Sequence, residues 1–223
     1  MSDLRLVIFD VDGTLVDSQG DIVGSMVSAF ETVGLNAPAR REILSIVGLS
    51  LDVAMAELAP KASIGQQVDL VAAYKDAYHQ RRVQKGSMAS SPLYPGARAV
   101  LEQLRAQDET FLGVATGKSR RGLDGLIAGH GLDGVFTTQQ VADHHPSKPH
   151  PAMIEAALKE IGVPAERAVM IGDTSFDMDM AKAAGVTAIG VTWGYHARGR
   201  LTAADHIAET FEEIPPLIET LLG

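Results

Sequence analysis

No cysteine occurs among the 223 residues, which excludes a disulfide framework and thiolate chemistry alike. Aromatic residues make up only 5%, and the single tryptophan, Trp193, reads as a packing residue rather than a stacking platform. No apolar run is long enough to span a bilayer. Met1-Ser2-Asp3-Leu4-Arg5 leads into the first apolar run without a signal-peptide pattern, so a soluble, cytoplasmic protein with no membrane partner is expected. Basic residues are outnumbered by acidic ones, 19 to 28, for a net charge of −9. That balance argues against a general nucleic-acid surface while leaving room for a local basic pocket. Internal repeats and low-complexity tracts are also missing. What remains is ordinary globular material, 46% hydrophobic and 21% charged. It is long enough to bury a sizeable core in one large domain or two small ones.

Short apolar runs that read as buried strands recur at residues 4–9, 110–115, 135–138, 168–171 and 188–191. Helical patterns separate them at 97–107, 120–128, 151–161 and 176–184, with Gly162, Gly185 and Gly129/Gly131 at the expected C-termini. Strand and helix in alternation predict an α/β fold, a doubly wound parallel sheet with helices on both faces. Residues 19–91 differ. They carry amphipathic helical segments at 21–33, 39–46, 51–58 and 68–83, no convincing strand, and a linker-like ending, Gly86-Ser87-Met88-Ala89-Ser90-Ser91-Pro92. The expected organisation is a core of residues 1–18 and 92–223 with an all-helical insertion at 19–91.

The first strand raises a chemical question. Leu4-Arg5-Leu6-Val7-Ile8-Phe9 is built for burial, yet it runs into Asp10-Val11-Asp12-Gly13-Thr14. Two ionised carboxylates resist burial unless something compensates them. At about 4 Å and an effective dielectric of about 20 they repel by roughly 4 kcal/mol. A solvated Asp-Gly turn is one reading. A cation site with a carboxylate held ready for chemistry is the other. Further polar residues gather beyond the other strand ends, where open α/β sheets place their ligands. They are Thr116-Gly117-Lys118-Ser119, then Asp173-Thr174-Ser175-Phe176-Asp177, and between them the loop His144-His145-Pro146-Ser147-Lys148-Pro149-His150. Singly, Thr116 and Asp173 read as helix caps and Lys148 as a solvated lysine; together they suggest one site.

The order Asp-x-Asp-Gly-Thr, Thr after a strand, Lys-Pro, and Gly-Asp-x-x-x-Asp resembles the haloacid dehalogenase (HAD) superfamily over essentially the whole chain, with residues 19–91 matching its inserted cap. Ala115-Thr116-Gly117-Lys118-Ser119 and Gly190-Val191-Thr192-Trp193-Gly194-Tyr195 are similar to its phosphoglycolate phosphatase group. The resemblance implies a Mg²⁺-dependent phosphatase with a Rossmann-like core, acting on a small phosphorylated metabolite such as phosphoglycolate. In it Asp10 is the nucleophile that forms an aspartyl-phosphate, and Asp12 is the general acid and base. Asp10, the Asp12 carbonyl, Asp173 and Asp177 hold Mg²⁺, with Asp177 in direct contact or behind it. Thr116 with nearby N–H groups, Gly117 and Lys118 among them, binds phosphoryl oxygens, and Lys148 neutralises charge. The turn Gly48-Leu49-Ser50 is either a substrate-facing cap loop, with Leu49 sealing the site and Ser50 donating to the substrate, or an ordinary interhelical turn. The cap cations Arg40, Arg41, Lys61, Arg81, Arg82 and Lys85 read mostly as solvated helix faces.

Some motifs mislead. Gly129-His130-Gly131-Leu132-Asp133-Gly134 fits the dinucleotide fingerprint by letter, but it follows a helix and precedes a strand. Gly113-Val114-Ala115-Thr116-Gly117-Lys118-Ser119 is one residue short of a P-loop. Pro146 and Pro149 break any helical spacing of His144, His145 and His150, which read as solvated loop histidines rather than a zinc site. Three rival functions stand beside the phosphatase. A hexose-phosphate mutase is disfavoured because Leu51 and Asp52 follow the Gly-x-Ser turn where such mutases resemble one another in an arginine. A phospho-receiver is disfavoured by motif order and the helical insertion, and an idle binding protein by the full set of catalytic positions.

Overall fold

The computed structural model describes residues 4–223, apart from the side chain of Ser87. Met1, Ser2 and Asp3, which bear the expectation of no signal segment, lie outside the described residues. Six strands form one sheet: β1 (Arg5–Phe9), β2 (Thr110–Thr116), β3 (Thr138–Val141), β4 (Ala168–Gly172), β5 (Thr187–Val191) and β6 (His206–Ala208). All neighbours are parallel and the order is β3-β2-β1-β4-β5-β6. The order reverses beside β1, so a crevice opens between the C-terminal ends of β1 and β4, as doubly wound sheets provide.

Strand β1 is apolar without alternation because both of its faces are covered. Val7 and Phe9 join the side packed by α6 (Ala97–Arg105), α7 (Arg120–His130) and α10 (Ile214–Leu222). Leu6 and Ile8 join the side packed by α8 (Ala152–Ile161) and α9 (Ser175–Ala183). Register then sets the chemistry. Phe9 lies opposite Val114 and Ile171. Asp10 is therefore the first residue past the buried run, level with the ends of β2 and β4, where Thr116 and Asp173 follow.

Two parts of the core depart from the sequence reading. The third strand begins at Thr138, not at residue 135: Val135 closes a turn onto the Leu132 carbonyl, and Phe136 fills the core. The pairing strand itself, Thr-Gln-Gln-Val, lies at the sheet edge, where a strand needs no apolar run. Strand β6 and helix α10 were not foreseen. The strand is three residues at the opposite edge, and the helix starts on Pro215 and Pro216 at its first turn, which prolines tolerate.

Between β1 and α6 run five helices: α1 (Gln19–Val33), α2 (Arg40–Ser45), α3 (Leu51–Leu58), α4 (Ile64–Lys85) and α5 (Ser87–Ser90). They bury an apolar cluster of their own, with Met26, Phe30, Ile43, Met55 and Leu70 at its centre. The chain leaves and returns side by side. Asp17 N–H donates to the Pro92 carbonyl at 2.9 Å and Tyr94 N–H to that of Leu15 at 3.0 Å. The returning Gly-Ser stretch is structured: it holds α5, Ser90 and Ser91 are buried, and Ser90 and Lys85 both bond the buried Asp21 carboxylate.

His196 ties the insertion to the core. Its Nδ1 accepts from Ser175 N–H at 3.0 Å, at the start of α9, and its Nε2 lies 3.0 Å from the Ser45 carbonyl at the end of α2. A carbonyl only accepts, so Nε2 carries the proton. Burial is the largest influence on this ring, and with Arg200 it outweighs the Ser45 bond, holding the pKa below the ordinary 6.5. The unfolded chain therefore binds this proton at a higher pH than the native one. The His196 contribution to stability is complete above about pH 6.5 and declines as pH falls below it. Thermal melting of the wild type should drop more than that of His196→Gln between pH 7 and pH 5.5; equal drops would show that the ring is not a stability element.

Candidate active site

Local structure explains each side chain at the sheet edge. Asp10 follows β1, its N–H given to the Ile171 carbonyl at 2.9 Å. Gly13 turns the chain back with φ +89°, and a Cβ there would stand 2.3 Å from the Asp173 carboxylate. Glycine is required on both counts. Asp173 follows β4, where Thr14 Oγ1 donates to it at 3.0 Å and Tyr195 N–H at 2.7 Å. Asp177 closes a capping box on α9, accepting from Thr174 N–H at 3.0 Å and Thr174 Oγ1 at 2.7 Å. Trp193, whose Nε1 donates to the Thr14 carbonyl, packs on Phe211 beside the site, as expected of a packing residue.

Lys148 is 1% exposed and lies between two carboxylates, 2.8 Å from Asp10 Oδ1 and 2.7 Å from Asp177 Oδ1. Oxygens of Asp10, Asp173 and Asp177 all come within 4.8 Å of one another. Neither Asp10 oxygen accepts an aligned hydrogen bond although both are buried. Burial, partly offset by Lys148, pushes the Asp10 pKa up to about 7. Burial first, then Asp177 and Asp10, pushes the Asp173 carboxyl well above the usual range. Fully ionised, three carboxylates and one ammonium sum to −2, so an all-oxygen cluster whose Asp10 carboxylate is met by the Lys148 charge alone fits a hard divalent cation. Asp177, with both oxygens engaged by Lys148 and Thr174, is better placed to orient that set than to lead it.

Asp12 has its own counter-ion, which the sequence reading did not foresee. Lys118 Nζ lies 2.7 and 2.8 Å from the two Asp12 oxygens and 3.2 Å from the Tyr78 hydroxyl of α4. Burial alone would lower the Lys118 pKa, but Asp12 and Tyr78 outweigh it and hold the ammonium charged. Ser18 donates a short hydrogen bond to Asp12 and meets the Tyr195 hydroxyl at 3.0 Å. The Lys118 side chain thus neutralises Asp12, while the phosphate contact expected of this residue is through its backbone N–H. Thr116 is buried, and its hydroxyl accepts from Lys118 N–H at 3.2 Å.

The turn Gly48-Leu49-Ser50 reaches this edge. A Cβ on Gly117 would lie 2.6 and 2.7 Å from the Gly48 and Leu49 carbonyls, so only glycine admits the turn there. Ser50 N–H donates to Ser147 Oγ at 2.8 Å, while the Ser50 hydroxyl bonds Asp52 and holds that carboxyl below its ordinary range. A cavity of about 880 Å³ opens between insertion and core, lined by Asp10, Asp12, Thr116, Gly117, Lys118 and the turn. The tempting motifs resolve as ordinary structure. Gly131 is the left-handed cap of α7, His130 meets the Ser91 carbonyl at 2.8 Å, and His145 bonds Gln140.

The family model for haloacid dehalogenase-like hydrolases matches residues 7–191, which include every one of these strand-end residues. The chain belongs to that family. As a haloacid dehalogenase-like hydrolase of the phosphatase type, it is 37% identical to the probable phosphatase IndB of Dickeya dadantii, over 97% of this chain and 94% of that protein. It is 30% identical to a phosphoglycolate phosphatase of Yersinia pestis, over 96% and 93%. A solved structure of a predicted phosphoglycolate phosphatase from Haemophilus somnus superposes with a TM-score of 0.84 at 25% identity, covering 97% and 99% of the two chains. Among the described residues no helix is long and apolar enough to cross a membrane.

In this hydrolase the Lys118–Asp12 pair is nearly dry, with side chains 9% and 12% exposed. Lys118→Met strands a buried carboxylate and should cost about 3 kcal/mol in denaturant stability. Adding Asp12→Asn should recover most of that loss. A double-variant cost equal to the sum of the two single-variant costs would mean that the pair carries no coupling.

Proposed function

We propose that the protein is a Mg²⁺-dependent phosphomonoesterase working through an aspartyl-phosphate on Asp10, with residues 1–18 and 92–223 as catalytic core and 19–91 as cap. One observation carries the reading: a carboxylate at the end of a buried strand, both oxygens without an aligned hydrogen bond, borders the cavity beside a buried lysine. Asp10 Oδ attacks phosphorus while the bond to the ester oxygen breaks, and Asp12, entering protonated, gives its proton to the departing alkoxide. Water then attacks the phosphorus of the acyl phosphate. Asp12 takes the water proton, and the bond to Asp10 breaks to yield inorganic phosphate and the free carboxylate. Lys118, 2.7 Å from Asp12, balances the charge that Asp12 carries at the start of the second step.

Asp10, the Asp12 carbonyl and Asp173 are the proposed ligands of Mg²⁺, with Asp177 supporting them. When bound, the cation supplies charge neutralisation that lets a carboxylate approach an anionic phosphate. Thr116 and the N–H groups of Gly117 and Lys118 hold phosphoryl oxygens, and Lys148 keeps Asp10 and Asp177 compatible in one dry site. The substrate is a phosphorylated small molecule; phosphoglycolate, for which several relatives are named, is the two-carbon member of that class.

Two experiments test this. Excess EDTA should abolish phosphate release from phosphomonoesters and added Mg²⁺ should restore it; release undiminished by chelator would remove the metal from the mechanism. Asp10→Asn should lower kcat at least about a thousandfold and eliminate the phosphoryl adduct seen by mass spectrometry on the peptide bearing Asp10. Near wild-type turnover in that variant would overturn the nucleophile assignment.

A further inference from the structure

We propose that the substrate is a phosphate ester bearing a bulky aromatic body, rather than a two-carbon ester such as phosphoglycolate; the inference rests on the phosphomonoesterase reading above. The cavity that reaches Asp10 measures about 880 Å³, in the upper part of the roughly 300–1,000 Å³ range that holds drug-sized ligands. A two-carbon phosphate would fill a small corner of it. Nor does the volume come from a cap standing away from the core. The Gly48 and Leu49 carbonyls already touch Gly117, Ser50 N–H bonds Ser147, Arg82 donates to the Gly122 carbonyl at 3.1 Å, and Lys118 meets Tyr78.

The walls match an aromatic body. Beyond the carboxylates the lining includes Met26 of α1, Leu49 of the turn, and Val71, Tyr74 and Tyr78 along one side of α4. Tyr74 and Tyr78 stack with centroids 5.8 Å apart, a broad rigid surface, and methionine adapts to rings beside it. The two lysines at the reacting carboxylates are committed, Lys118 to Asp12 and Lys148 to Asp10 and Asp177. The lining also holds Lys75, Arg82, which donates to the Gly122 carbonyl, and Arg121, which meets His79, so the inference rests on the size of the cavity and its apolar wall.

The test compares naphthylethyl phosphate with ethyl phosphate and phosphoglycolate, all esters of primary alcohols, so that leaving-group chemistry does not set the ranking. The expected result is a kcat/KM for naphthylethyl phosphate at least tenfold above the other two. Affinity is measured separately on Asp10→Asn with Mg²⁺ present, where naphthylethyl phosphate should bind at least tenfold more tightly than phosphoglycolate. Equal or reversed affinity overturns the inference. No turnover of any ester with the affinity order intact overturns the hydrolytic reading and supports the aromatic pocket. Val71→Trp, on a half-buried cap position whose folding is checked by circular dichroism, should narrow the affinity ratio at least fivefold; an unchanged ratio in the folded variant also overturns the inference.

Discussion

Everything at the sheet edge depends on one buried ammonium group. Lys148 joins the loop before α8 to Asp10 at the end of β1 and to Asp177 in the first turn of α9, so one charge ties three elements together. Without it, three carboxylates would share a water-poor site with only hydrogen bonds for compensation, an arrangement that ionised groups do not tolerate. With it, the site retains an excess of negative charge, and burial, together with the neighbouring carboxylates, raises the Asp10 and Asp173 pKa values. The geometry is thus under tension by design: the carboxylates are close enough to act together because the lysine is fixed among them.

A second ion pair does related work for the other aspartate. Lys118 lies on the loop after β2, holds Asp12 with two contacts, and touches Tyr78 from the helical insertion. Charge state at Asp12 and position of the insertion are thereby joined through a single side chain. The Gly48–Gly117 contact and the His196 bridge to Ser45 add two more points of attachment. The insertion is coupled to the chemistry by short polar contacts around a wide apolar cavity. An architecture of that kind separates the carboxylate end of the cavity, paired with two lysines, from the remainder, lined by side chains of the insertion.

Most of the core was legible because burial on both faces of a parallel sheet leaves a plain trace, an unbroken apolar run ending in polar residues. Strands β1, β2, β4 and β5 carry that trace, and Asp10, Thr116 and Asp173 fall at its ends. The edges carried none. Thr138–Val141 and His206–Ala208 pair through the backbone with side chains that need no core, so neither apolarity nor alternation marks them. Composition also misled at Gly86–Pro92, where small residues suggested slack chain but form a short helix whose Ser90 bonds the buried Asp21, with Ser91 buried just beyond it.

The sequence by itself determined the doubly wound α/β class, the helical insertion and the set of strand-end residues, because these follow from local periodicity and from the cost of placing charge beside an apolar run. Only the tertiary structure decided how those residues are paired. Lys118 reads in sequence only as part of a phosphate-binding turn, and in space its side chain is the partner of Asp12, 106 positions away. Asp177 reads as a metal ligand in direct contact or behind it, and in space one of its oxygens meets Lys148 from 29 positions away. Electrostatic partnership falls off over a few ångströms, whereas the separations that decide it here run to a hundred residues. No local pattern carries that information; the register of β1 against its two neighbours does.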